Sequence, residues 1–281
     1  MEAYKILRII NNNVVFSVNE RGDEIILRGK GIGFQKKAGM TVAAGDVEGI
    51  YVLEKPQTKN KLYDLLEDMP PEYIEVSARI IDHARKVLGK TLDENIYVTL
   101  TDHIHFAAER KLKGIEYVNP LLWEIRAYYA QEYQVGLWAL EEIHKCLGLE
   151  LKEDEAGFIA LHIVNAQLGI QMDNMFQITQ MIGGIIKIVE NYYGRRFDSE
   201  SMDYERFITH LKFFGQRLFK NKTYGKEDAG FHEMIRERYA FDYACARKIR
   251  MYILEKYHKD VGTEEMTFLT VHLRRVSSDE L

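Results

Sequence analysis

The sequence predicts a multidomain chain: a small all-β antiparallel module followed by two copies of an all-α domain. Three observations carry this reading. Residues 1–53 hold short β-rich runs and no helical period sustained for two turns. Beyond about residue 65 proline almost vanishes and apolar residues recur every three to four positions. The helical part then repeats itself, with corresponding positions 105 to 110 residues apart.

In the β module, VVFSV (14–18) and EIILRG (24–29) flank the polar turn 19–23, which contains Gly22, and read as a hairpin. GIGF (31–34) and VEGIYVL (47–53) are expected to add further short strands. The polar stretch EKPQTKNK (54–61), with Pro56 lacking a backbone donor, reads as a linker. Pro71 opens the helical region, where Pro120 is the one further proline.

The repeat is visible residue by residue. With His103 placed over His210, TDHIHFAAER lies on ITHLKFFGQR, pairing Phe106 with Phe213 and Arg110 with Arg217. Upstream, Gly89 meets Gly194 and Asp93 meets Asp198. With His162 over His272, DEAGFIALHIV lies on EEMTFLTVHLR, pairing Glu155 with Glu265 and Phe158 with Phe268; Tyr133 meets Tyr243 and Ile143 meets Ile253. The small difference in offset is what loop insertions produce. Two homologous domains follow, roughly 66–172 and 173–281.

Composition bounds the function. The 281 residues are 46% apolar and 29% charged, which leaves room for two or three globular domains. No apolar run approaches the roughly 20 residues of a membrane span. The N-terminus, interrupted by Lys5, Arg8 and an asparagine triplet, is no signal peptide. Cys146 and Cys245 show no redox or metal spacing and are expected to be small buried side chains in a reducing compartment, the cytoplasm by default. The net charge is −5, yet residues 1–60 carry about +2, which permits a nucleic-acid partner without requiring one.

Nine histidines reduce to four that occupy equivalent places in both copies: His103, His162, His210 and His272. His83, His105, His144, His232 and His258 have no counterpart. A helix-borne histidine among apolar residues, as in ALHIV, can be an ordinary core residue. A metal site is disfavoured, because His103 and His105 lie two apart and point to different helix faces, unlike the usual i, i+4 pair. A Ser-His-Asp hydrolase would need a GxSxG turn and strand–helix alternation, which are missing. Covalent phosphorylation stays open: neutral imidazole is nucleophilic, and a pKa near 6.5 leaves mostly that form at neutral pH. Arg110 and Arg217 stand two helical turns beyond His103 and His210, placed for a phosphate or simply for a carboxylate.

The chain also resembles a known family. IINNNVV (9–15), GKGIGFQKKAG (29–39), TLTDHIHFA (99–107), DEAGFIALHIVNAQL (154–168), FITHLKFFGQRLF (207–219) and FLTVHLRRV (268–276) are similar, in order and spacing, to segments of BglG/SacY-type transcriptional antiterminators, nearest their LicT branch serving β-glucoside operons. The resemblance spans the whole chain. It implies a small all-β antiparallel RNA-binding domain over 1–57, a four-stranded sheet working as a homodimer, with a linker to about 65. Two all-α helical-bundle domains would follow, both PTS-regulation domains of the sugar phosphotransferase system.

The resemblance further implies a non-enzymatic regulator that clamps a leader-mRNA hairpin and so prevents a terminator from forming. No cofactor or metal is implied. His103, His162, His210 and His272 would take phosphate from HPr and a sugar-specific permease, with inhibitory effect in the first domain and activating effect in the second. By family position Asn13, Gly29, Lys30 and Phe34 fall on the RNA surface, together with Arg8. Their chemistry suits it: Phe34 can stack, Asn13 both donates and accepts, glycines allow close backbone approach, and Lys30, Lys36 and Lys37 can meet phosphates. Lys30 stands where relatives often carry arginine, keeping the charge but losing bidentate geometry. A buried ring is the structural alternative for Phe34, and simple turns for the glycines. A PTS-regulated DNA-binding activator is the rival reading, requiring an N-terminal helix-turn-helix; a phosphotransferase enzyme would require an acceptor site.

Overall fold

The computed structural model describes residues 3–10, 12–19, 22–52, 69–70, 72–170, 172–220 and 229–278. The predicted linker 54–61 lies outside them, as does Pro71. The described residues form two compact units, Met1–Asn119 with Gln131–Gly169, and Pro120–Ala130 with Ile170–Leu281.

The first unit opens with five strands: β1 (Ala3–Ile9), β2 (Val14–Val18), β3 (Glu24–Arg28), β4 (Thr41–Ala43) and β5 (Gly49–Val52). They form one sheet in the order β4-β1-β2-β3-β5, with every neighbouring pair antiparallel. The resemblance implied four strands; the fifth is the three-residue β4, too short to carry a pattern of its own. β1 was equally hard to read, because only Ile6 is buried among exposed Lys5, Leu7 and Arg8. VVFSV and EIILR are the predicted hairpin, with Phe16 opposite Ile26.

β2 lacks polar alternation because both sheet faces are covered. Val15, Ile25 and Leu27 enter a small core with Ile6, Ile32 and Val42. Val14, Phe16 and Ile26 join the helical core of the same unit.

GIGF is not a strand. Residues 29–36 run through successive turns, with Ile32 N donating to Gly29 O, Phe34 N to Gly31 O and Lys36 N to Gly33 O. Gly31 (φ 71°) and Gln35 (φ 56°) are left-handed, a conformation no extended strand accommodates.

The helices are α1 (Glu72–Leu88), α2 (Ile96–Leu112), α3 (Leu122–Tyr128), α4 (Ala130–Leu147) and α5 (Glu153–Leu168), then α6 (Met172–Tyr193), α7 (Met202–Phe219), α8 (Ala229–Arg238), α9 (Ala240–Tyr257) and α10 (Thr263–Ser278). The second five follow the first five in order, and the paired positions behave alike. Gly89 and Gly194 end α1 and α6 at φ 62° and 69°. The carboxylates of Asp93 and Asp198 each accept from the backbone N–H two residues on, at 2.9 Å. Ile143 and Ile253 are fully buried. Such agreement between distant segments is what duplication produces. α5 is sequestered over most of its surface, so it shows little polar periodicity. Cys245 is buried as expected, whereas Cys146 is exposed at the end of α4. Among the described residues no helix is long and apolar enough to cross a membrane.

Candidate functional site

In the first unit α2 crosses α5, and the crossing joins His103 to His162, ring centroids 4.9 Å apart. In the second, α7 crosses α10 and stacks His210 on His272 at 4.3 Å and 26°. His162 and His272 are each the tenth residue of their helix. A phenylalanine flanks each pair: Phe158 lies 5.7 Å from His103, and Phe268 lies 6.3 Å from His210. An arginine–glutamate pair completes each set, Arg110 with Glu155 at 3.0 Å and Arg217 with Glu265 at 2.6 and 3.0 Å. The four repeated histidines are thus two facing pairs, each with the same phenylalanine, arginine and glutamate. The arginines meet carboxylates, the simpler of the two uses their spacing allowed.

The copies differ in what the glutamate does. Glu155 Oε2 stands 3.0 Å from His103 Nε2, close enough for charge attraction though without hydrogen-bond alignment. Glu265 spends both oxygens on Arg217. Burial alone would raise the Glu155 pKa, but His103 and Arg110 outweigh it and hold the carboxyl below its usual range.

Burial favours the neutral form of three of the four imidazoles, His162, His210 and His272. Burial, then the neighbouring His103, lowers the pKa of His162 well below the ordinary value, and its Nδ1 has no hydrogen-bond partner. Burial, His272 and Arg217 bring His210 down to about 3, and its Nε2 is likewise buried without a partner. His272 is lowered by burial and Arg275, against Asp203. Neutral imidazole is the nucleophilic form. His210 and His272 line a cleft of about 630 Å³ with Arg206, Thr209, Phe213 and Arg217, so a reactant can reach them. Among the described residues no group of three or more His, Cys, Asp or Glu side chains could hold a metal ion.

The strand module supplies a second surface. Asn13, before β2, accepts from Gly31 N through Oδ1 at 2.9 Å, while its backbone oxygen accepts from Gly29 N. Gly33 N donates to Asn12 O, so the asparagines hold the glycine turn in place. Lys30 and Phe34 emerge exposed from this turn, Phe34 at 57%; a buried core ring is ruled out. Gly29 is buried, and a Cβ there would lie 2.1 Å from the Asp46 carbonyl oxygen, so internal packing demands glycine. Lys36 Nζ donates to Thr41 O. Arg8 stands on β1, exposed and opposite Phe16. Sequence reasoning missed Glu75 on α1, which accepts from Asn13 Nδ2 at 3.3 Å. Their separation of 62 positions in the chain carries no signal of that meeting.

Comparison with known proteins decides the family. The CAT RNA binding domain matches residues 4–60, and the PRD domain matches twice, at 78–166 and 183–276. The chain belongs to the transcription antiterminator family built from a CAT RNA-binding domain followed by PRD domains. It is 43% identical over 272 residues to the transcription antiterminator LicT of Bacillus subtilis (strain 168), covering 97% of this chain and 98% of that protein. It is 42% identical over 275 residues to the beta-glucoside operon antiterminator of Dickeya chrysanthemi, covering 98% and 97%. The crystal structure of GlcT CAT-PRDI superposes with a TM-score of 0.54 at 33% identity, over 59% of this chain and all but 1% of that one. The histidine pairs lie within the two PRD matches and the glycine turn within the CAT match.

Proposed function

We propose that this antiterminator is cytoplasmic and sugar-responsive: as a homodimer it binds a leader-mRNA hairpin and prevents the overlapping terminator from forming. It acts as a regulator, not an enzyme, and needs neither cofactor nor metal. The working division is residues 1–57 for RNA, a linker to about 65, and regulatory domains at 66–172 and 173–281. Lys30 meets phosphate, Phe34 stacks on an unpaired base, Arg8 adds charge, and Asn13 with Gly29 shapes the turn that presents them.

The observation that carries the regulatory half is the repeated set of two facing histidines with an arginine–glutamate pair. Phosphoryl donors are HPr and a sugar-specific permease. The donor's phosphohistidine N–P bond breaks as one forms to a neutral imidazole here; the acceptor sheds its ring proton to solvent and the donor ring takes one up. A neutral ring becomes a group of about −1.5 to −2 charge, which cannot stay buried against a carboxylate and changes the packing around it. Phosphate on His103 and His162 inhibits; phosphate on His210 and His272 activates.

A DNA-binding activator would require a helix-turn-helix where the described residues within 3–52 form strands, turns and one short 3-10 turn. Filter binding of the full chain to β-glucoside leader RNA and to duplex DNA of the same sequence separates the two. RNA retention that survives excess duplex is expected; equal retention of both would overturn the reading.

A further inference from the structure

The RNA module is seated on the first helical domain by contacts that consume groups RNA would use. Phe16 and Ile26, paired across β2 and β3, lie with Val14 in one apolar cluster with Ile80, Ile81 and Ala84 of α1. At one rim of this seat Glu75 takes the Nδ2 donor of Asn13, whose Oδ1 already secures the turn bearing Lys30 and Phe34. Arg79 holds Glu75 in place, donating to it at 3.0 Å and to Glu142 at 3.0 Å. At the position paired with Val14, Arg28 lies 3.9 Å from Asp82 of the same helix.

We propose that α1 is an intramolecular competitor of RNA: Glu75 occupies the Asn13 amide and, with Asp82, lines the docked module with carboxylate, so full RNA affinity requires the sheet to lift from α1. This rests on reading the strand module as RNA-binding. Two physical effects drive the competition. The Asn13 amide that could read a base edge already donates to Glu75. RNA phosphates brought to this rim also meet fixed negative charge in a partly desolvated setting. The apolar seat makes the closed state the resting one, and only the open fraction binds at intrinsic affinity. Removing a charge-assisted hydrogen bond from the closed state alone therefore tightens apparent RNA binding, by about tenfold.

The test uses the full chain, a fluorescein-labelled leader-RNA hairpin from a β-glucoside operon, and Glu75→Ala beside a Glu72→Ala control. Glu72 lies in the same helical turn, so its loss removes the same charge from the same helix end. Glu75→Ala is expected to bind about tenfold tighter than the parent, Glu75→Gln between the two, and Glu72→Ala like the parent. Hydrogen exchange without RNA gives an independent readout: β2 and β3 should exchange faster in Glu75→Ala only. Equal RNA affinity of Glu75→Ala and parent would overturn the proposal. If neither chain bound RNA, the RNA reading would fall, and unchanged exchange of β2 and β3 would still overturn the docking role of Glu75.

Discussion

His103 Nε2 and Glu155 Oε2 lie 3.0 Å apart, while the other Glu155 oxygen accepts from Arg110 at 3.0 Å. One carboxylate thus bridges a histidine and an arginine in the first domain, whereas Glu265 is held by Arg217 through both oxygens. The two copies keep the same residues and differ in who shares the charge. Glu155→Gln should therefore slow phosphate incorporation at His103 roughly tenfold, the loss of one orienting group next to the acceptor. Glu265→Gln should change His210 by less. Site-resolved phosphopeptide mass spectrometry after timed exposure to a phosphohistidine donor reads both; equal effects in the two copies would contradict the asymmetry.

Stability should fall as pH drops below about 6.5. Unfolded imidazoles take up protons there, while folded His162 and His210 stay neutral to far more acidic pH, so the unfolded state binds more protons. Each of these two buried histidines contributes at most about 1.4 kcal/mol per pH unit. The depressed Glu155 carboxyl adds stability that is present above the ordinary carboxylate range and is lost only in more acidic solution, as pH falls through its lowered value. Urea midpoints measured from pH 7.5 to 5 should decline steadily. A flat profile would mean the histidines are not held neutral by the fold.

Two phenylalanines should separate stability from binding. Phe16 is 1% exposed and sits in the shared core, so Phe16→Ala should cost about 3–5 kcal/mol of stability. Phe34 is 57% exposed, so Phe34→Ala should leave the urea midpoint nearly unchanged and weaken RNA binding by about 1–3 kcal/mol. Unfolding and anisotropy titrations on both variants check this pairing. Normal RNA affinity in Phe34→Ala would remove the ring from the RNA surface.

Gly29→Ala should destabilise the strand module by about 1–3 kcal/mol, because the new methyl meets the Asp46 carbonyl at 2.1 Å. Gly45→Ala, with nothing within 4 Å and no left-handed φ, is the matched control and should be neutral. Thermal melts of the two variants distinguish packing at Gly29 from a general dislike of alanine in this region.

The readable parts of this chain were those whose signal is local or duplicated. VVFSV and EIILR are bounded by turn residues and formed where expected. The histidine pairs were legible because duplication singled out four rings from nine, although the sequence could not say that the two rings of each pair would face one another. GIGF was misread because its apolar Ile32 and Phe34 look like strand residues, while the left-handed backbone at Gly31 and Gln35 is set by Asn12 and Asn13 holding the turn. Glu155 was visible as a repeated residue, but its reach to both His103 and Arg110 depends on how α2 crosses α5. Glu75 left no trace, since a contact between a strand end and a helix 62 residues later has no period to betray it.

The most direct test of phosphohistidine control is terminator readthrough on a β-glucoside leader template, transcribed with the purified full chain and the phosphorylated sugar permease. The account predicts that readthrough falls with the parent chain and is retained with His103→Ala/His162→Ala. Equal inhibition of both chains would contradict it.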